Sequence, residues 1–465
     1  MIKSLSSVSA FELPVPSLSR RSPEIANLTS KNVTVFSLTI IQNRLATARR
    51  IDMREIREDA RYIIEKSVEA VQPESSVKKA LEKAGLTGPI FLLAIGKAAW
   101  RMASAAKEKL GQEIESGIVI TKYGYSQGEI EGIEVFEAGH PILDIKTVEA
   151  TEHALKVIES RKPEKLLFLI SGGGSALFEK PVEGVTFEDL VQINNKLFRS
   201  GASIVEVNTV RKHLSSVKGG RFARLVAPSQ IFTLVLSDVL GDRLDSIASG
   251  PAYPDSSTSE EALAVIEKYG LKPRPEVLEA LKVETPDRLH NVQTEVIGSI
   301  TRACESAVTF ARELGYNTSI LTTSLDCEAR DAGLFLAAIA REELFDRPLK
   351  RPAALIVGGE TVVHVRGEGL GGRCQELALA FSIAANGMEN VSLACIGTDG
   401  TDGPTDAAGA IVGGHSMQRM IDAGIDPQRF LLDNDSYHAL EKSGDLVKTG
   451  PTGTNVNDLI VLLCE

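Results

Sequence analysis

The sequence predicts an α/β protein with two α/β domains, mostly parallel or mixed sheets, and an active site in the interdomain cleft. Three observations carry this. The chain has 465 residues, more than one hydrophobic core usually serves. Short apolar runs alternate with amphipathic helical patterns along most of it. Four of those runs, LAIGKAA, LLFLISGGGSAL, LVLSDVLGD and ACIGTDGTDGPTDAAGA, break off into charge or glycine, as strands do when they deliver groups to one edge of a sheet.

Residues 1–52 hold nine serines and seven Lys/Arg against three acids and show no workable period, so they read as a disordered extension. Their Arg- and Ser-rich, acid-poor make-up fits a targeting segment. Met53, just before the first strong helix pattern, is the preferred alternative, as a true start that makes residues 1–52 a miscalled extension. From Ile56, apolar residues at Ala60, Ile63, Ile64 and Val68 predict an amphipathic helix over 54–71. Strands are then expected at 90–95, 117–121, 133–137, 165–170 and 230–237, with helices at 98–110, 145–159, 186–199 and 218–226. The proline-rich, polar stretch 250–290 is taken as the domain connection, giving an N-terminal Rossmann-like domain over 53–285 and a C-terminal domain over 286–465. The second series has strands near 293–298, 317–322, 353–357, 361–365, 390–396 and 458–463, with helices near 299–314, 328–345 and 374–386.

Hydrophobic residues make up 43% of the chain and charged ones 24%, the balance of a soluble globular protein. No apolar run approaches the roughly 18 residues a membrane span needs, so no membrane partner is expected. A net charge of −11 argues against nucleic acid, whose phosphates recruit a Lys/Arg surplus. The five cysteines include no C-x-x-C pair, which indicates neither a zinc knuckle nor a disulfide framework and fits a reducing cytoplasm.

Gly96-Lys97 closes one apolar run and opens a helix, where an ammonium can meet an anion favoured by free N–H groups; the plainer reading is a solvated lysine at a helix start. Ser171, Gly172, Gly173, Gly174 and Ser175 let backbone approach an oxygen-rich anion, or form an ordinary flexible loop. Arg211, Lys212, Lys218 and Arg221 flank what reads as a polar turn, and Arg211 and Lys218 are the two chosen as anion ligands. Asp238 and Asp242 could share a magnesium, or one of them could accept a substrate proton; turn or cap duty is the rival for Asp242. Gly358 and Gly359 precede Glu360 and Thr361 in an expected hairpin. Gly367, Gly369 and Gly372 fit G-x-G-x-x-G, a poor match to a dinucleotide site because a hairpin strand precedes it, and Arg373 there suits a transferring phosphoryl group. Asp399, Asp402 and Asp406 are spaced too irregularly for an EF-hand and either brace their own turns or meet a divalent cation that relieves their repulsion. His140, in EAGHPIL, is the one histidine whose loop setting invites a role, a structural hydrogen bond being the rival.

Taken in order, AIGKAA, EAGHP, SGGGSAL, NTVRKHLSSVKGGR, SDVLGD with SGP, GGETVV, GxGGRxQE, GTDGTDGPTDAAGA and TGPTGTNVNDL closely resemble the glycerate 2-kinases of the MOFRL family over residues 55–463. The resemblance implies ATP-dependent phosphorylation of D-glycerate at its 2-hydroxyl, a divalent cation such as Mg²⁺, and two α/β domains enclosing the site. It also implies catalytic roles for Lys97, Arg373 and Asp238. Where many members carry asparagine after the arginine, this chain has Cys374.

Residues and resemblance together give a nucleotide- and substrate-binding set of Gly96, 171–175, Arg211, Lys218, Gly359, Glu360, Thr361, Gly371, Gly372, Asp399 and Asp402. Asp238, Asp399 and Asp406 are the expected metal ligands. A homodimer is the expected assembly. Two rival activities are kept: an NAD(P)H-dependent hydroxypyruvate reductase using the G-x-G-x-x-G segment, and a non-catalytic glycerate sensor.

Overall fold

The structure, a computed structural model, describes residues 55–465; the expectations for 1–52 lie outside them. Its first sheet contains β1 (Ile90–Ile95), β2 (Ile114–Lys122), β3 (Ile133–Ala138), β4 (Lys165–Ile170), β5 (Gln230–Leu236) and β6 (Val292–Gly298). The spatial order is β3-β2-β1-β4-β5-β6, and every neighbouring pair is parallel. All six carboxyl ends therefore share one edge. The order reverses between β1 and β4, where a doubly wound sheet opens its ligand crevice. Burial on both faces explains why β1 reads as a continuous apolar run: Leu92 and Ala94 enter one core cluster, while Phe91, Leu93 and Ile95 enter another.

The second sheet contains β7 (Asn317–Leu325), β8 (Ala353–Gly359), β9 (Val391–Gly397), β10 (Gly409–Gly413), β11 (Leu446–Val447) and β12 (Asp458–Cys464). Its order is β11-β10-β9-β12-β8-β7. Only β7 and β8 pair in parallel; β12 runs antiparallel between β8 and β9. The start of β12 thus lies beside the ends of β8 and β9, with Asp458 opposite both Gly359 and Gly397.

One apolar cluster joins the two halves. It takes Leu167, Leu234 and their neighbours from the first sheet and Ile356, Ile396, Leu459 and Val461 from the second. The helices Ile56–Ala70 and Ile300–Glu313 contribute Ala60, Ile63, Ile64, Val68, Ala303 and Ala307 to it.

Four sequence expectations are corrected here. The first helix packs on β9 and β12 of the second sheet, and β6, expected in the second series, is the sixth strand of the first. An amphipathic pattern tells a helix to bury a face and leaves the partner open. The 250–290 stretch is not a bare connection, because helices Ser259–Lys268 and Pro275–Leu281 pack with Phe187–Arg199 and Ile204–Leu214 around a core of their own. Its polar and proline residues are helix starts, with Thr258 and Glu261 forming a capping box and Pro275 in a first turn. The 361–365 strand and its hairpin are absent: Val362 makes a single bridge to Glu328, and Val365 is 75% exposed.

Ile64 is 1% exposed within the shared core. Ile64→Ala is expected to destabilise the protein by about 2–5 kcal/mol, read as a lower urea midpoint.

Candidate active site

The exits of β1 and β4 are stitched together. Ser171 N donates to Ile95 O at 3.0 Å and Lys97 N to Gly172 O at 2.8 Å; Ala98 N donates to Ser171 Oγ at 3.0 Å. The approach is so close that Gly96, at φ +112°, has no room for a side chain, since a methyl there would meet Ser171 O at 2.4 Å. Ser171, expected to bind ligand, therefore spends its hydroxyl on the junction. The amides of Gly172 and Gly173 donate to no acceptor among the described residues, nor does Lys97 form an ion pair there.

Asp238, just beyond β5, closes on this junction. A methyl on Gly172 would fall 2.1 Å from Asp238 Oδ2. Burial raises the Asp238 carboxyl above its ordinary range, Lys97 opposes that rise, and Glu360 adds to it. Glu360 and Lys97 come from different halves, so Asp238 feels both sides of the cleft.

Glu360 follows β8 and accepts from Arg373 Nη1 at 3.1 Å. Arg373, the first residue of helix Arg373–Ala384, also grips Asp458 with two parallel bonds, Nε to Oδ2 at 2.6 Å and Nη2 to Oδ1 at 2.9 Å. Such a fork fixes the plane of the guanidinium. Burial works against the Arg373 charge, yet Asp458 outweighs it and the guanidinium is held above its ordinary range. One N–H on each of Nη1 and Nη2 is left for a ligand.

A cleft of about 630 Å³ opens at the β1–β4 junction, lined by Lys97, Ser171, Gly172 and Leu236 from the first half and by Asp399 and 451–455 from the second. Arg101 Nη1 reaches across to Thr452 O at 3.1 Å, and Gly453 leaves room for that guanidinium.

Several expected ligands do other work. Lys218 is fully buried and donates to Ser175 O at 2.9 Å and Phe178 O at 2.8 Å. Arg211 Nη2 donates to the same Ser175 oxygen at 2.9 Å. Both cations brace the glycine loop from behind. Arg211 lies in the last turn of a helix, so the sequence's polar turn is helical there. Ser175 Oγ bonds Ser249 Oγ at 2.9 Å, and Gly174 packs against Ala248. Asp402 accepts from Cys374 N at 3.1 Å and Gln375 N at 2.8 Å, so its carboxylate serves the helix N-terminus rather than a ligand; Gly372 lets it approach. Gly371 similarly makes room for Ser436. Gly359 lies against Leu325, and Thr361 is buried.

The expected metal set is not assembled. Asp406 is exposed and bonds Tyr437 at 2.7 Å and Lys448 at 3.1 Å, while Asp399 lines the cleft and accepts from Thr401 N at 3.0 Å. No group of three or more His, Cys, Asp or Glu among the described residues could hold a metal ion. These residues do not fit a protein-held divalent cation, and no step is assigned to one. Nor is G-x-G-x-x-G a dinucleotide turn: Gly367 and Gly369 press against Asp433 and Asp435, with Gly369 N donating to Asp433 O at 2.9 Å.

Residues 59–282 match the family described as a domain of unknown function, DUF4147, and residues 353–458 match the MOFRL family. The chain is 56% identical over 412 residues to the D-glycerate 2-kinase of Thermotoga maritima, spanning 88% of this chain and 99% of that protein. The chain belongs to the glycerate 2-kinase family. The glycerate 2-kinase of Pyrococcus horikoshii is 40% identical over 437 residues, covering 88% and 97%. The crystal structure of glycerate kinase from Thermotoga maritima matches with a TM-score of 0.86 at 56% identity, covering 88% and 99%. Cys374 lies in the core, its thiol buried against that of Cys395.

Residue reasoning missed Asp458 and the 451–455 loop. The signal was the N-V-N-D run ahead of the last strand, which places an acid at a strand entry. Arg373 is about one-third exposed and Asp458 is 2% exposed, so the pair falls between surface and buried bridges. Asp458→Asn is expected to cost about 1–3 kcal/mol of stability, measured by urea unfolding, and to lower turnover as the guanidinium loses its fixed plane.

Proposed function

We propose that this chain transfers the γ-phosphoryl group of ATP to the 2-hydroxyl of D-glycerate, forming 2-phospho-D-glycerate and ADP. One observation carries the reading: at the switch point Lys97 and the Gly172 and Gly173 amides, unpaired among the described residues, sit beside Asp238, whose carboxyl also feels Glu360, the partner of an Arg373 that Asp458 holds in one plane. A phosphoryl group in transfer spreads negative charge over three oxygens, and catalysis consists chiefly of positioning and charge stabilisation. Lys97 with the amides of Gly172 and Gly173 holds phosphate oxygens. Arg373, aligned by Asp458, stabilises the group in flight with its two remaining N–H donors. Asp238 takes the proton of the attacking hydroxyl, and its raised affinity for protons suits a base. A divalent cation would come in only with the nucleotide, since no cluster among the described residues would hold it.

Among the described residues no helix is long and apolar enough to cross a membrane. A cytoplasmic setting and a homodimer complete the proposal, the setting supported by five free cysteines and the assembly open to light scattering.

Coupled measurement of ADP from ATP, Mg²⁺ and D-glycerate tests the activity, and chromatography of the product tests the position phosphorylated. Lys97→Ala and Arg373→Ala should each lower kcat by roughly 10²–10³-fold with an unchanged circular dichroism spectrum. Wild-type rates would remove that residue from the mechanism. Because a base must be ionised to act, kcat/KM should fall as pH drops, with a midpoint above the ordinary aspartate value of about 3.9. Asp238→Asn should abolish that limb together with most of the rate.

A further inference from the structure

His140 lies two residues beyond β3 and so reaches the same sheet edge as Lys97. Its ring stands over the glycine loop. A methyl group on Gly173 would fall 2.9 Å from both Cδ2 and Nε2 of His140 and 3.3 Å from Cγ of Lys97. The imidazole and the lysine stem therefore wall the backbone whose amide has no protein acceptor. Of the other six histidines four are hydrogen-bonded, His153 to Glu134, His213 to Thr209, His364 to Glu328 and His438 to Asp435, and His290 and His415 are exposed. Neither ring nitrogen of His140 has a hydrogen-bond partner among the described residues, although the ring is half-buried. Its ring nitrogens are not fully enclosed, so a ligand oxygen seated over the glycine loop can reach them.

The charged groups around the ring define what it can offer. Burial, then Lys97 and then Lys122 push the imidazole down to about 4, so at neutral pH it carries one N–H donor and one acceptor nitrogen. It can donate to an anion without adding a third positive charge beside the two lysines.

We propose that His140 contacts a reactant directly, donating an imidazole N–H to an anionic oxygen that Lys97 and the Gly172 and Gly173 amides also hold. This rests on the phosphoryl-transfer reading above. The oxygen belongs to a phosphate of the nucleotide or to the carboxylate of the acceptor, and the two sources separate kinetically. A neutral donor at that point sets where the oxygen sits and leaves the total charge of the cradle unchanged.

The test pairs His140→Phe, which fills the space without a donor, with His140→Gln, which restores an N–H. His140→Phe should raise one KM by roughly 10–100-fold, the loss of a hydrogen bond to a charged group, and leave the other KM within about twofold. His140→Gln should recover most of the loss. A rise confined to ATP assigns a phosphate oxygen; a rise confined to D-glycerate assigns its carboxylate. Both KM values unchanged in an active His140→Phe enzyme would overturn the contact. Should that variant fail to fold, the wild-type protein with ¹⁵N-labelled histidine decides. The His140 ring resonances, assigned by their loss in His140→Gln, should shift with either a non-hydrolysable ATP analogue or D-glycerate, and no shift with either ligand refutes the proposal. A wild-type protein that makes no ADP from D-glycerate would defeat the kinase reading, while the ring titration would still decide whether His140 touches an anion.

Discussion

The site depends on two parallel strands leaving the sheet almost in contact. At the junction of β1 and β4 the chain turns in opposite senses, and the exits are joined by main-chain bonds from Ser171 to Ile95 and from Lys97 to Gly172. A side chain at position 96 would collide with Ser171, so the glycine is what lets Lys97 sit over the 172–173 amides. Those amides are unspent because the strand has ended and the short helix Gly174–Leu177 has barely begun, the condition under which backbone N–H groups become anion ligands. Lys218 and Arg211 then fix the loop by drawing the Ser175 carbonyl inward. Burial holds Lys218 down to about 8, and the nearby Glu179, 3.5 Å away, compensates its charge. Cations that the sequence suggested as ligands therefore act from behind the glycine loop.

What could be read from the sequence divides along physical lines. Strand exits ending in Lys97, the glycine loop, Asp238 and Asp399 were legible because an apolar run followed by charge or glycine is a local signal. The parallel first sheet followed from the alternation of strand and helix. Partnership was not legible. Nothing in Ile56–Ala70 says that its apolar face belongs to β9 and β12, and nothing in the basic run at 211–221 says that Lys218 points inward. The 361–365 segment alternates as a strand should, but a strand needs a neighbour to bond, and only Val362 finds one, through a single bridge. Asp458 escaped notice because its role appears only when β12 is threaded between β8 and β9.

The acidic cluster after β9 shows how similar residues separate by environment. Asp399 remains in the cleft wall, Asp402 turns inward to the start of helix Arg373–Ala384, and Asp406 pairs with Lys448 at the surface. Their mutual repulsion is relieved without bringing the three together. Burial pushes the Asp402 carboxyl up to about 6, with the Gln375 and Cys374 amides pulling it down. It caps the helix that carries Arg373, so its effect on the site passes through the backbone at Gly372 and Cys374.

For the proposed transfer the two halves must also be held at a distance that lets Lys97 and Arg373 serve one ligand. A linker alone would leave that spacing loose. Here the spacing is set by the helices Ile56–Ala70 and Ile300–Glu313, which share a core with one face of each sheet. Close packing makes such a layer resist compression, and the strand edges that it supports bear Lys97 and Asp238 on one side and Glu360, Asp399 and Asp458 on the other. Arg101 reaching Thr452, and Thr454 Oγ1 donating to Val71 O at 3.0 Å, tie the 451–455 loop to the first half. The cleft is therefore bounded by a packed floor and a bridged rim, and the proposed joint action of the arginine and the lysine requires both to form.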